Sequence, residues 1–268
     1  MKALRKELSG MDASALSLVP RHEHWLRLMR ERSGEIITNV LIPETDYLGF
    51  MAVHFHGKQR DHALAILKLE DHPDTVLIAR SMVEGLCLLK WARQDAATRG
   101  LQWREFSLVL DWRDARRQLA RGASPEVVRQ IEARIAVHGD MLLSGAAMKA
   151  LSQGEPLPAD PYVKRWYRPQ LKQIFEAVKG EALYEGPYHL ASEWHHWSPG
   201  GLVFAMEYSE DSMSYSSGSP VLRLTALANA FQCLAETSMF VATHFDLPRA
   251  SELVALTNDY IDELGGAP

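Results

Sequence analysis

Apolar residues recur at three- and four-residue spacing along nearly the whole chain, and strand-like alternation is rare. That periodicity is the signature of helices that bury one face, and it predicts an all-α protein. Helices are expected at about 21–33, 46–70, 74–95, 101–121, 125–152, 161–180, 187–197, 220–245 and 249–264, with ends good to about two to four residues. Pro73, after Asp71 and His72, and Pro125, after Ser124, stand at helix starts, where proline's missing donor costs nothing. Gly100, Gly154, Gly180 and Gly265 fit helix stops. The stretch QGEPLPADP, 153–161, reads as an internal linker. YSEDSMSYSSGSP, 208–220, reads as a polar loop, and GLVFAMEY just before it suits a short strand. The expected architecture is a single-domain multi-helix bundle over 1–268 with a buried central helix at about 74–95 and residues 1–45 as an N-terminal helical extension.

Polar residues inside apolar helices change the picture from scaffold to site. In VLIARSMVEGLCLL, 76–89, every position except Arg80, Ser81 and Glu84 is apolar or glycine, so this helix should lie at the centre of the bundle. Those three side chains share an arc of about 100°, and Arg80 and Glu84 are an i, i+4 pair. An unpaired charge there would be very costly, so Arg80 is expected to pair with Glu84 or another carboxylate. YHLASEWHHWSP, 188–199, repeats the geometry: His189, Ser192, Glu193 and His196 share one arc, while His195 points elsewhere. LTALANAFQCLAETSMFVATHF carries Thr225, Asn229, Gln232 and Glu236 on one side. Three polar seams imply one polar centre, with Arg80, Glu84, Ser192 and His196 as candidate catalytic residues. His189, Glu193, Gln232 and Glu236 are candidate ligand-binding residues, and Trp91, Trp194 and Trp197 would form walls. The competing structural reading is a closed polar network that fixes helix register.

Composition narrows the setting. The 268 residues are 47% hydrophobic and 24% charged, enough for a core without disulfides or metal. Cys87 and Cys233 both fall in apolar helical patterns, where a free thiol acts as a small hydrophobe, which indicates a reduced, cytoplasmic protein. No apolar run reaches the roughly 18 to 20 residues of a membrane span, and the N-terminus lacks a signal core. A net charge of −5 argues against nucleic acid as the main partner. Two basic clusters keep a local contact open: Arg113, Arg116, Arg117 and Arg121, and then Lys164, Arg165, Arg168 and Lys172. An apolar helical chain with exposed tryptophans also suits a homo-oligomer.

The stretches LIARSMVEGLCLLKWA, LQWREFSLVLDWR, YVKRWYRPQLKQIF and YHLASEWHHWS, in this order, resemble an uncharacterised bacterial helical family, domain of unknown function fifty-six seventy-seven. Its pattern is an arginine and a glutamate four residues on, then much later a tyrosine, a serine four on and a histidine four beyond. These fall on Arg80, Glu84, Tyr188, Ser192 and His196, over a likeness spanning about residues 60–200. The resemblance implies an all-helical fold, adds Tyr188 to the ligand-binding candidates and supplies no reaction; a stress or defence role is an association only.

Three chemistries can be weighed on the residues. A Ser192 nucleophile with His196 as base lacks both a Gly-x-Ser-x-Gly elbow and a well-aimed partner. A metal on His189, Glu193 and His196 lacks the second Glu-x-x-His of di-iron bundles, so no metal and no cofactor are assigned. Ribonucleases of the HEPN type carry arginine followed by histidine with four to six residues between them, and no arginine here is followed by a histidine at that spacing, although Arg80 and His196 from separate helices would supply the same groups. The expected function is a polar pocket that binds, or acts on, a small polar or anionic ligand. The alternatives are a HEPN-like metal-independent ribonuclease or defence effector, and a non-enzymatic helical interaction protein.

Overall fold

The computed structural model describes residues 2–70, 72–208, 212–215 and 218–264. Asp71, Gly265 and residues 209–211 and 216–217 of the expected polar loop lie outside the described residues. Apart from one short hairpin, the described elements are helices, and the protein is all-α. The chain divides into two compact units, the first from Met1–Pro43, Ala52–Trp91 and Lys172–Pro268, the second from Glu44–Met51 and Ala92–Leu171.

In the first unit the long helix α1, Lys2–Ile36, lies along α11, Pro220–His244. Along α1 the buried residues Ala15, Val19, His22, Leu26, Met29, Ser33 and Ile36 follow one another in alternating four- and three-residue steps, with Trp25 buried beside them. That 3.5-residue period keeps one seam facing a partner helix, as in coiled coils. The helix extends well beyond the expected 21–33 span, and Pro20 sits inside it on the exposed side. On α11 the alanines 226, 230, 235 and 242 are fully buried or nearly so, which allows close helix packing. Arg223, completely buried, is ion-paired with Glu23 at 2.5 Å and also donates to the Ile66 carbonyl. The last helix, α12, Ala250–Leu264, stacks Tyr260 on Phe231 with ring centroids 3.7 Å apart.

The same unit contains α2, Tyr47–Lys68, and α3, Thr75–Arg93, apart from their ends, and α7, Leu171–Ala177. After α7 come α8, Glu181–Leu183, a π-helical turn Tyr184–Tyr188 that accommodates Pro187, and α9, His189–His195. Trp197 then takes a left-handed φ of 57°, ending the helix, and Ser198 caps α10, Pro199–Leu202. Strands β1, Met206–Tyr208, and β2, Met213–Tyr215, pair antiparallel with Met206 opposite Tyr215.

The second unit is built on α4, Ala96–Leu119, α5, Pro125–Ala136, and α6, Gly145–Gln153. Leu108, Val109, Trp112, Ile135, Leu142 and Tyr162 share its core. Two expected helices differ here. The 125–152 helix is broken after residue 136, because Gly139 adopts φ 57° and a 3-10 turn buries Leu142 before Ser144 caps α6. The 161–180 helix forms only over 171–177: Pro161 and Pro169 oppose a helix, and Tyr162 bridges Leu143 in antiparallel fashion. Arg113, which reads as a solvated helix charge, instead pins this segment through Asp160 at 2.9 Å and the Val163 carbonyl at 2.9 Å.

Candidate functional site

Helix α3 presents Arg80, Ser81 and Glu84 toward α2, which answers with Phe55, Gln59 and His62 at i, i+4 and i+7, one stripe of a helix. The Gln59 side chain, 3% exposed, donates to the Met82 carbonyl at 2.9 Å and ties the two helices together. Between them is a cavity of about 240 Å³ lined by these groups, Lys58, Gly85 and Leu88. At a liquid share of roughly 30 Å³ per water, that is room for about eight waters or one compact ligand.

Arg80 is fixed from behind. Its Nε donates to Ser192 Oγ at 3.1 Å and its Nη2 to the Tyr188 phenol at 2.6 Å, while the guanidinium lies 4.4 Å from the Tyr188 ring centroid. Ser192 Oγ in turn donates to the Tyr188 carbonyl at 2.8 Å, so its lone pairs are turned to the arginine. The π turn brings the Tyr188 ring against Tyr184 and Phe175, with centroids 5.4 and 5.3 Å away. Burial raises the Tyr188 phenol above its usual value and the Glu84 and Tyr184 charges add to this, while Arg80 opposes it, so the group stays a neutral phenol at neutral pH. The arginine is therefore held by neutral oxygens. The expected carboxylate partner is absent: no ion pair joins Arg80 to Glu84 or any other acid among the described residues. Its cost of partial burial is met by charge-assisted hydrogen bonds and the ring, and its charge is left uncompensated.

Across the cavity, His62 is shifted below its usual value, first by burial and then by Lys58, against the opposing pull of Asp61. It is a neutral imidazole near pH 7. Its Nε2 stands 3.5 Å from Ser81 Oγ, at the outer limit of a hydrogen bond. The Gln59 Oε1 atom is buried without a hydrogen-bond partner. The wall thus carries two cations, Arg80 and Lys58, and one carboxylate, Glu84.

The remaining sequence candidates separate. Arg80, Tyr188 and Ser192 come together, and Glu84 lines the same cavity. His196 does not join them: α9 ends at His195, and His196 is exposed at the C-cap with its ring 4.9 Å from that of His195. His189 is also exposed and lies 3.9 Å from Glu193, whose other oxygen takes the Ser198 hydroxyl. Gln232, exposed, donates to Glu236 at 2.9 Å, and Glu236 pairs with Lys90. Lys90 is ten residues from Arg80, about 15 Å along a helix, so the α11 stripe meets α3 elsewhere. Trp194 is buried with its Nε1 on Asp74 at 2.9 Å, Trp91 is buried, and Trp197 is 79% exposed, so the three do not wall one pocket. Among the described residues, no three His, Cys, Asp or Glu side chains are grouped to hold a metal, and no helix is long and apolar enough to cross a membrane. Lys58, Gln59 and His62 escaped the sequence reading, although the 55, 59, 62 spacing in FHGKQRDH was the available signal.

The model of a family of unknown function, DUF5677, matches residues 50–213, more than half of the chain. The chain belongs to this family. The matched span includes every residue lining the cavity and both anchors of Arg80. No curated protein and no solved structure matches the chain.

Proposed function

We propose that this DUF5677 protein binds a small anionic molecule in the cavity between α2 and α3, with Arg80 as the charge that recognises it. The observation that carries this reading is the bonding of Arg80: two of its nitrogens are committed to the neutral oxygens of Ser192 and Tyr188, which orient the guanidinium without cancelling its charge. A scaffold arginine is normally neutralised by a carboxylate, because leaving it uncompensated costs stability. Lys58 adds a second positive charge to the wall. Glu84 stands four residues along α3 from Arg80, about 6 Å of helix rise, and offers an acceptor for N–H donors. The ligand that fits is a compact molecule with an acidic group at one end and amine or amide donors at the other.

Binding is favoured over turnover by the same geometry. His62 is neutral and suited to proton transfer, but at 3.5 Å from Ser81 the pair does not form an activated nucleophile. The test is a titration with L-aspartate, glycine and acetate followed at the Gln59 side-chain amide. Saturable shifts there that weaken in Lys58→Gln are expected, roughly tenfold for a charge-assisted contact. Shifts confined to residues outside the α2–α3 cavity, or an unchanged response in Lys58→Gln, would remove the ligand from this site.

A further inference from the structure

The second unit has a cavity of its own, about 330 Å³, built from a part of the sequence the first site does not use. In YVKRWYRP, 162–168 alternates in pairs: Tyr162 and Val163 are buried, Lys164 and Arg165 exposed, Trp166 and Tyr167 buried, and Arg168 exposed. The buried pairs anchor the segment and leave the cations on its outer side. Two backbone bonds, Ser144 N to the Pro161 carbonyl at 2.8 Å and Val163 N to the Leu142 carbonyl at 2.9 Å, clamp it beside the start of α6. Arg168 reaches the Leu143 carbonyl from the same side, at 3.4 Å. Lys164, Arg165 and Arg168 therefore line one concave wall with Tyr167, and Ser144 and Gly145 line the other.

Three features make this wall unusual. The whole chain has more acids than bases, 34 Asp and Glu against 29 Lys and Arg, yet no carboxylate lines the cavity. None of its three cations makes an ion pair among the described residues; Arg165 rests 4.9 Å from the centre of the Tyr167 ring instead. Finally, the opposite wall is the N-terminal turn of a nine-residue helix, where Ser144 Oγ caps only the Ala147 amide. The Gly145 and Ala146 amides take no protein acceptor among the described residues, and the space beside Gly145 Cα is open. Three cations facing unmatched amides at a positive helix end are complementary to one compact, multiply charged anion.

We propose that this cavity is a binding site for the phosphoryl group of a small phosphorylated molecule. It is independent of the α2–α3 cavity and shares no residue with it. A nucleic-acid strand fits the same charges less well, since Trp166 and Tyr167 are buried and offer no exposed ring for base stacking. The volume exceeds that of phosphate alone and leaves room for the body of the molecule.

The experiment titrates the full chain with inorganic phosphate, and in a parallel arm with a ten-nucleotide oligouridylate, while the Gly145 and Ala146 amide resonances are followed. Phosphate should shift both amides saturably. Lys164→Gln combined with Arg168→Gln, both at exposed positions, should weaken that binding by roughly tenfold or more, and Arg121→Gln, an exposed cation of the loop that follows α4, should leave it unchanged. An absence of shifts at Gly145 and Ala146 through millimolar phosphate would overturn the proposal. So would equal weakening by Arg121→Gln, which would mean diffuse attraction, or oligouridylate shifting these amides where phosphate does not, which would mean a nucleic-acid surface.

Discussion

At the scale of single residues, the distinction that matters is between a charge that is satisfied and one that is oriented. Arg80 is oriented by neutral groups, whereas Arg223 is satisfied by Glu23 and Arg113 by Asp160. Helical spacing made Arg80, Glu84 and Ser192 legible as inward-facing polar residues, because each lies within an unbroken turn. It failed at His196, since angular reasoning holds only while the helix lasts and α9 stops one residue earlier. A buried residue with a different role is His56, 3% exposed, whose Nε2 has no hydrogen-bond partner and whose pKa is lowered to about 4, first by burial and then by Arg60. The folded state favours the neutral imidazole, so the stability it contributes is complete above the unfolded value of about 6.5 and is lost as pH falls from there toward 4. Between pH 7 and pH 5 this amounts to roughly 2 kcal/mol. His56→Leu should flatten the fall in urea midpoint over that interval; an unchanged pH dependence would show that other groups govern acid stability.

At the scale of elements, the positions that fix the site are turns rather than helix interiors. The orientation of α9 depends on the short segment after it, where Gly201 packs so closely that an added Cβ would stand 2.4 Å from the Trp194 amide nitrogen and 2.5 Å from the Glu193 carbonyl carbon. Backbone atoms cannot yield as a side chain does. Gly201→Ala should therefore cost about 1 to 3 kcal/mol through forced displacement of α9. Gly57→Ala makes the contrast, since nothing lies within 4 Å of that Cβ and the residue is inside α2. There the gain in helix propensity should stabilise by roughly 0.5 to 1 kcal/mol. Thermal midpoints moving in the same direction for both would contradict the packing described for α9 and α10. The expected helices at 220–245 and 249–264 match α11 and α12 because the apolar period runs through both, and Ser219 caps α11 ahead of Pro220. The 161–180 expectation failed because YVKRWYRP has helix-compatible spacing of its aromatic residues while its flanking prolines and strand-like bridge dominate.

At the scale of the whole molecule, apolar periodicity was enough to establish the all-α class, because each helix must bury a stripe whatever its partner. It could not say which stripes meet. Gln232 and Glu236 read as part of the same polar centre as Arg80, yet Glu236 meets α3 at Lys90, and the groups that do face Arg80 across the cavity come from α2. Convergence of side chains from separate helices is a tertiary property that spacing within one helix does not encode. The central claim is that Arg80, rather than the exposed end of α9, is the charge that holds the ligand. Its most direct test compares Arg80→Gln with His196→Gln in the L-aspartate titration, read at the Gln59 side-chain amide. Loss of the saturable shift in Arg80→Gln, with the wild-type affinity retained in His196→Gln, is the predicted result; wild-type affinity in Arg80→Gln, or its loss in His196→Gln, would contradict it.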